Sequence, residues 1–177
     1  MNKKQLRVEI KERLDLISDA SLMQWSEYVS VNLSTLISKL KSKTLSECTI
    51  GCFCPMQKEP IWYLKFSSQL SYALVQTHDG RKLTYYRESL ASIEAGSADG
   101  SGKEIVPDIL LVPGLAFTES GERLGRGKGY FDSYLANFSG VKIGVGFECQ
   151  FVADVYSEAH DEKLDYLITE KNIYDVR

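Results

Sequence analysis

The order of apolar patterns along the chain predicts an α/β fold: one domain over residues 1–177, with a largely parallel central sheet and helices on both of its faces. Three observations carry that expectation. "DILLVPG" (108–114) and "VKIGVGF" (141–147) are near-continuous apolar runs, as expected of central strands covered on both sides. Strand-like and helix-like segments alternate instead of segregating, which favours parallel pairing through crossovers. No repeat or linker divides the 177 residues, a length that suits one domain with a real core.

From Asn2 to Ile17 the pattern is helical, because Leu6, Ile10, Leu14 and Ile17 fall within an arc of about 80° at about 100° per residue. Lys3 projects inside that arc and Arg7 just beside it, whereas Lys4 and Lys11 point away. Lys3 and Arg7 are therefore either cations snorkelling along a core edge or cations aimed at a ligand. A second helix follows in "SDASLMQWSEYVSVNLSTLISKL", with Leu22, Trp25, Val29, Leu33, Leu36 and Leu40 as its apolar stripe. That stripe reads as core and carries no chemistry.

"TIGCFCP" reads as a buried strand with Cys52 and Cys54 on one face, entering a loop at Pro55 with Glu59 just beyond. "YALVQ" and "LTYYR" flank "THDGRK", where Asp79-Gly80 favours a tight hairpin. "IEAGSADGSGKE" is a Gly/Ser-rich surface segment, either a lid or a slack connection. After the 108–114 strand, "SYLANF" starts a helix, and "LDYLIT" is expected to be the last strand.

Composition narrows the function. Hydrophobic residues make up 44% and charged residues 25%, and the net charge of −3 provides no global field for nucleic acid or an anionic membrane. An anion must then be met by a local cluster. The start "MNKKQLRVEI" lacks the apolar run of a signal peptide, and "IVPDILLVPGLAF" is broken by Asp108 and two prolines. Cys48, Cys52, Cys54 and Cys149 form no paired CxxC arrangement and read as reduced structural thiols before a metal site. These features predict a cytoplasmic location.

The densest anion candidate is "GERLGRGKGYFD", with four glycines among residues 121–129 and the cations Arg123, Arg126 and Lys128. Each glycine costs roughly 0.5–1 kcal/mol in a regular element, so this is a loop. It sits between a central strand and a helix, where open α/β sheets bind ligands. Glycines let the backbone approach a phosphate, and amides at a helix start point at it. A P-loop is excluded, because residue 122 is Glu122 where the first glycine belongs and Gly129 stands in place of the hydroxyl. A dinucleotide fingerprint is excluded too, because Gly125, Gly127 and Gly129 are spaced by two. The loop is either a phosphate loop of another kind or a solvated charged turn with Asp132 capping the next helix. Nucleotide-bound Mg²⁺ takes one or two protein carboxylates, for which Asp132 and Asp161 (beside His160) are candidates. A lone Asp near a strand start more often reads as a cap or a satisfied surface group.

"LVPGLAFTESGERLGRGKGYFDSYL" closely resembles the signature of the 5-formyltetrahydrofolate cyclo-ligase family (5,10-methenyltetrahydrofolate synthetases). Lys3 and Arg7 in the first helix, "FCPMQKE" with Glu59, "GVGFECQ", the His-Asp pair and the "LDYLITE" ending follow the family's order, so the resemblance covers nearly the whole chain. It departs at "PIW" after Glu59, at Thr118 where Asp is common, at Gln76 where proline is common, and in the 93–108 stretch.

The resemblance implies a Rossmann-like three-layer α/β domain that closes N10 of 5-formyltetrahydrofolate onto the formyl carbon. ATP would be consumed to ADP and phosphate through phosphorylation of the formyl oxygen, a ligase step of one-carbon metabolism. It implies ATP contacts from Lys3, Lys4 and Arg7 and from the loop: Arg123, Leu124, Gly125, Arg126, Gly127, Lys128, Gly129, Tyr130 and Phe131. Folate contacts would come from Cys54, Glu59 and the Arg126–Tyr130 stretch, with Arg126 and Lys128 as the catalytic cations. Asp132 and Asp161 would hold Mg²⁺. The partners implied are small molecules, with neither nucleic acid nor membrane, on a monomer or weak homodimer. A non-catalytic folate or nucleotide binder, or another phosphate-handling enzyme on a related fold, are the competing readings.

Overall fold

In the computed structural model, residues 2–44, 48–66, 71–78, 82–158 and 161–177 are described. The expected turn at Asp79-Gly80 and His160 lie outside them.

Helix α1 (Lys3–Asp15) starts one residue later than the pattern suggests, because Asn2 is its cap. The Asn2 side chain accepts from the Lys4 and Gln5 amides, each at 3.0 Å, and Gln5 Oε1 accepts from the Asn2 amide at 3.0 Å. Helix α2 (Asp19–Thr44) follows after a break at Leu16–Ser18. Leu6, Ile10, Leu14, Ile17, Val29, Leu33, Leu36 and Ile37 are all buried, so both expected stripes face one core.

Seven strands form one sheet, in the spatial order Lys82–Glu88, Ser71–His78, Thr49–Cys52, Ile109–Pro113, Val141–Val145, Tyr166–Ile168 and Ile173–Asp175. They are β1 (Thr49–Cys52), β2 (Ser71–His78), β3 (Lys82–Glu88), β4 (Ile109–Pro113), β7 (Val141–Val145), β8 (Tyr166–Ile168) and β9 (Ile173–Asp175). The inner strands β2, β1, β4, β7 and β8 run parallel, and the edges β3 and β9 are antiparallel. Strand β4 shows why: Ile109 and Leu111 enter the core beneath α1 and α2, Leu110 and Val112 enter the opposite core, and all four are fully buried. Helix α4 (Tyr130–Leu135) covers that second face, with Tyr134 against Tyr85 of β3 at 5.3 Å between ring centres. Helices therefore lie on both faces.

Four expectations need correction. Strand β1 stops at Cys52, ahead of Pro55, so Cys52 is buried while Cys54 is exposed, and the two do not share a face of one strand. "LDYLIT" is not the last strand, because the chain turns back at 169–172 and β9 pairs with β8 at the edge. The 93–104 segment is not a slack connection. It begins in a short helix α3 (Leu90–Glu94), capped by Ser89. It then returns along β3, where the Arg87 amide donates to Lys103 O at 2.9 Å and the Ile105 amide to Tyr85 O at 2.9 Å. Finally, the helix expected to start at "SYLANF" begins three residues earlier, at Tyr130, because Gly129 adopts a left-handed cap (φ 74°). Among the described residues no helix is long and apolar enough to cross a membrane.

Candidate active site

The chain leaves β4 at Pro113 and makes a two-stranded hairpin, β5 (Ala116–Phe117) with β6 (Arg123–Leu124). It then runs through residues 125–129 into α4. The glycine loop thus lies beyond the carboxyl end of a central parallel strand, the place where open α/β sheets collect ligands. Gly127 (φ 94°) and Gly129 (φ 74°) occupy left-handed backbone that side-chain-bearing residues rarely adopt. Gly121 (φ 84°) does the same, so three of the four glycines are required by the path of the loop itself. Helix α4 is only six residues long, so the expected helix-dipole contribution at its start is small.

The three cations of the loop have different fates. Arg126 is exposed enough to reach solvent, yet it pairs with Glu59, donating from Nη2 at 2.6 Å and from Nε at 3.1 Å to one carboxylate oxygen. The other Glu59 oxygen accepts from the Met56 amide at 2.9 Å, so both oxygens of this buried carboxylate are engaged. Lys128 is exposed and makes no hydrogen bond or ion pair among the described residues. Arg123, expected beside them as a phosphate cation, is instead turned inward. Its side chain is 5% exposed, donates to Pro113 O at 3.1 Å and pairs with Asp132. Burial pulls the Arg123 guanidinium below its ordinary pKa, against the opposing pull of Asp132 and Asp161.

A cavity of about 370 Å³ opens on one side of the loop. Its apolar wall comes from Phe53, Met56, Val75, Leu83, Tyr130 and Phe131, and its polar groups include Glu59, Arg126, Lys128 and Asp132. Cys54 stands in the wall as well, but burial pushes its thiol up, so it is not a ready thiolate. Beneath Glu59, the divergent Pro60-Ile61-Trp62 stretch is structural: Trp62 is fully buried and its indole N–H donates to Phe53 O at 2.8 Å.

Helix α1 meets the loop as well. Arg7 Nε donates to Gly125 O at 2.9 Å, and a methyl on Gly127 would come within 3.3 Å of Arg7 Cζ. Lys3 pairs with Asp161 at 3.1 Å and Glu158 at 2.9 Å. Burial lowers the Lys3 pKa, but the bonds to Glu158 and Asp161 outweigh it and hold the ammonium above its ordinary value. Lys4 is exposed on the far side of the helix. Leu124 is buried, so only its backbone faces the loop.

The structure therefore brings Arg7 to the loop and Asp132 and Glu59 to the cavity, while Lys3 and Asp161 pair with each other near Arg123. Asp132 lines the cavity, while Asp161 is paired with Lys3 and is not part of the cavity wall. Among the described residues no three His, Cys, Asp or Glu side chains converge as a ready metal cage. Sequence reasoning missed the wall residues Val75 and Leu83. Their signal was the alternation of β2 and β3, which puts Val75 and Leu83 on one face, but nothing in the sequence said that this face met the loop.

Residues 60–170 match the model of the 5-formyltetrahydrofolate cyclo-ligase family. A probable 5-formyltetrahydrofolate cyclo-ligase of Schizosaccharomyces pombe is 30% identical over 106 residues, which are 49% of this chain and 52% of that protein. The 5-formyltetrahydrofolate cyclo-ligase of Mus musculus is 38% identical over 69 residues, 36% of this chain and 34% of that protein. These alignments thus span between about a third and about half of the curated relatives' own length. The Aquifex aeolicus 5,10-methenyltetrahydrofolate synthetase, solved by NMR, superposes with a TM-score of 0.76 at 27% identity, covering 100% of this chain and 94% of that one. A Mycoplasma pneumoniae 5,10-methenyltetrahydrofolate synthetase at 21% identity shares the fold with the same TM-score of 0.76, covering 96% and 99% of the two chains.

Proposed function

Because the chain belongs to the 5-formyltetrahydrofolate cyclo-ligase family, we propose that it performs the ATP-dependent closure of 5-formyltetrahydrofolate to 5,10-methenyltetrahydrofolate. The 177 residues act as one domain in this reading. The observation that carries it is the position of the glycine loop. The loop borders a mostly apolar cavity suited to a flat ring system and is met by Arg7 of α1, one turn from Lys3.

The chemistry needs the cavity and the loop at once. A formyl amide is a poor electrophile, since nitrogen donates into its carbonyl strongly enough to give rotation barriers of about 18–20 kcal/mol. Transfer of the γ-phosphoryl group of ATP to the formyl oxygen raises the electrophilicity of the carbon and creates a phosphate leaving group. The lone pair of N10 then forms the new C–N bond, its proton is lost, and phosphate departs with the formyl oxygen. No enzyme nucleophile is required, which suits a cavity whose only thiol is held protonated.

What the protein supplies is alignment and positive charge on the moving group. Lys128, without a partner in the described protein, is the cation free to meet the transferring phosphoryl group. Arg126 starts on Glu59. The donor-rich edge of the pterin takes its place on that carboxylate and frees the guanidinium for the phosphate oxygens. Lys3, Arg7 and the loop amides from Gly125 to Gly129 hold the rest of the nucleotide.

Asp132 fits a single-carboxylate Mg²⁺ site: one oxygen is engaged by Arg123, and the other accepts no hydrogen bond among the described residues. Asp161 would serve as the second carboxylate once Lys3 turns to the nucleotide. Bound there, Mg²⁺ would neutralise charge on the triphosphate.

The protein is read as a cytoplasmic enzyme with small-molecule partners. Purified protein with 5-formyltetrahydrofolate should show the rise in methenyl-folate absorbance when ATP is added and none without it. Binding of both ligands with no rise would favour a non-catalytic binder.

A further inference from the structure

We propose that Arg123 is a positioning residue, which fixes Asp132 and ties together the two ends of the glycine loop without itself touching ATP. The proposal rests on the reading of that loop as the nucleotide site.

The geometry around Arg123 is that of a built support. Its side chain leaves β6 and runs between two glycines. A methyl on Gly114 would come within 3.0 Å of Arg123 Cγ, and one on Gly125 within 3.0 Å of its Nη1. The ring of Phe131 covers it, with 5.7 Å from Cζ to the ring centre. One arm of the guanidinium donates to Pro113 O at 3.1 Å, at the end of β4. The other donates to Asp132, in the first turn of α4. Residues 123 and 132 bracket the loop, so this one side chain connects strand, loop entry and loop exit.

Three features separate this role from a phosphate contact. The side chain is 5% exposed, against 36% for Arg126. Its two terminal nitrogens are already engaged by a carbonyl and a carboxylate. And by occupying Oδ1 of Asp132 it determines that Oδ2 is the oxygen presented to a cation. A planar fork can serve two acceptors in fixed directions, whereas the compact ammonium of lysine is a point charge. Arg123→Lys therefore keeps the charge and removes the geometry.

Binding of ATP with Mg²⁺, measured by calorimetry without folate, would be compared for the natural chain, Arg123→Lys, Asp132→Asn and the double variant. If Arg123 acts through Asp132, Arg123→Lys weakens binding about tenfold in the natural background and less than about twofold once Asp132 is Asn, because residues acting as a unit are non-additive. Equal losses in both backgrounds would mean direct contact with the nucleotide and overturn the proposal.

A second measurement requires neither ATP nor a substitution of the buried arginine. In the ligand-free protein, Asp132→Ala should raise hydrogen exchange at amides 125–131 about tenfold, because local opening follows the loss of the tie. The exposed Ser133→Ala control should leave it unchanged. Unaltered exchange in Asp132→Ala overturns the proposal. If the natural chain binds no ATP, the nucleotide reading fails, and the exchange result alone decides whether Arg123 holds the loop.

Discussion

Replacing Glu59 by Gln changes one atom type at a buried polar group of the cavity, and its consequences can be worked out from the contacts. The carboxylate accepts on both oxygens, from Arg126 on one and from the Met56 amide on the other. An amide of the same shape has one acceptor and one donor group, so in either orientation it turns N–H towards a donor. One bond is lost if the amide nitrogen faces Met56, and two if it faces Arg126. Hydrogen bonds to charged groups contribute about 1.5–3 kcal/mol, and the exposure of Arg126 argues for the lower end, about 1–2 kcal/mol. At about 2–4 °C per kcal/mol for a domain of this size, the melting temperature should fall by about 2–8 °C. If Glu59 also receives the pterin, the same missing acceptor should raise the folate KM by about tenfold, equivalent to about 1.4 kcal/mol. The ATP KM should stay within about twofold, because Lys3 and Arg7 make their contacts with Asp161 and Gly125 and none with Glu59. Steady-state kinetics with each substrate varied in turn, beside a thermal melt, reads all three quantities. A shift in the ATP KM with folate spared would refute the division of the site between the two ligands.

Two further substitutions test the loop. Lys128→Ala should lower kcat/KM for ATP about a hundredfold, as expected for a cation aimed at developing charge. It should leave the melting temperature unchanged, since Lys128 is exposed and holds nothing in the described protein, and unchanged kinetics would remove it from the phosphate site. Gly127→Ala should cost about 1–2 kcal/mol for a left-handed residue with a Cβ. It should also weaken ATP binding by pressing on Arg7, whereas Gly96→Ala (φ 65°, nothing within 4 Å) should show the strain in a melt with ATP binding intact.

Much of the fold was legible because its core strands satisfy a strong constraint. A strand buried on both faces has to be apolar at every position, and "DILLVPG" and "VKIGVGF" state that openly. The α1 and α2 stripes were legible for the matching reason that each buries a single arc. What escaped was set by tertiary contact. Strand β9 is a three-residue edge with exposed or half-exposed side chains, recruited by pairing with β8 and not by its own pattern. The return of residues 103–105 along β3 is held by backbone hydrogen bonds, which leave no trace in residue type. Cys54 looked like a strand residue because it alternates with Cys52, yet the chain had already left the sheet at Phe53.

The candidate site divides along the same line. Its glycines and cations were visible because a loop that needs left-handed backbone and local positive charge can be built from few residue types. Which cation faces outward was not visible. Arg123, Arg126 and Lys128 look alike in the sequence, and only the fold assigns them to a buried tie, a paired guanidinium and a free ammonium. The distinction rests on carboxylates 9 and 67 residues away, Asp132 and Glu59. The loop therefore carries less available positive charge than its composition suggests. Of three cations, one is committed to structure and one is held on Glu59 in the ligand-free chain. In the proposed reading, anion binding there would depend on the nearby helix contributing Lys3 and Arg7, and on folate displacing Arg126. A sequence motif of cations and glycines specifies that a phosphate can be bound, while the carboxylates that engage those cations specify when each becomes available.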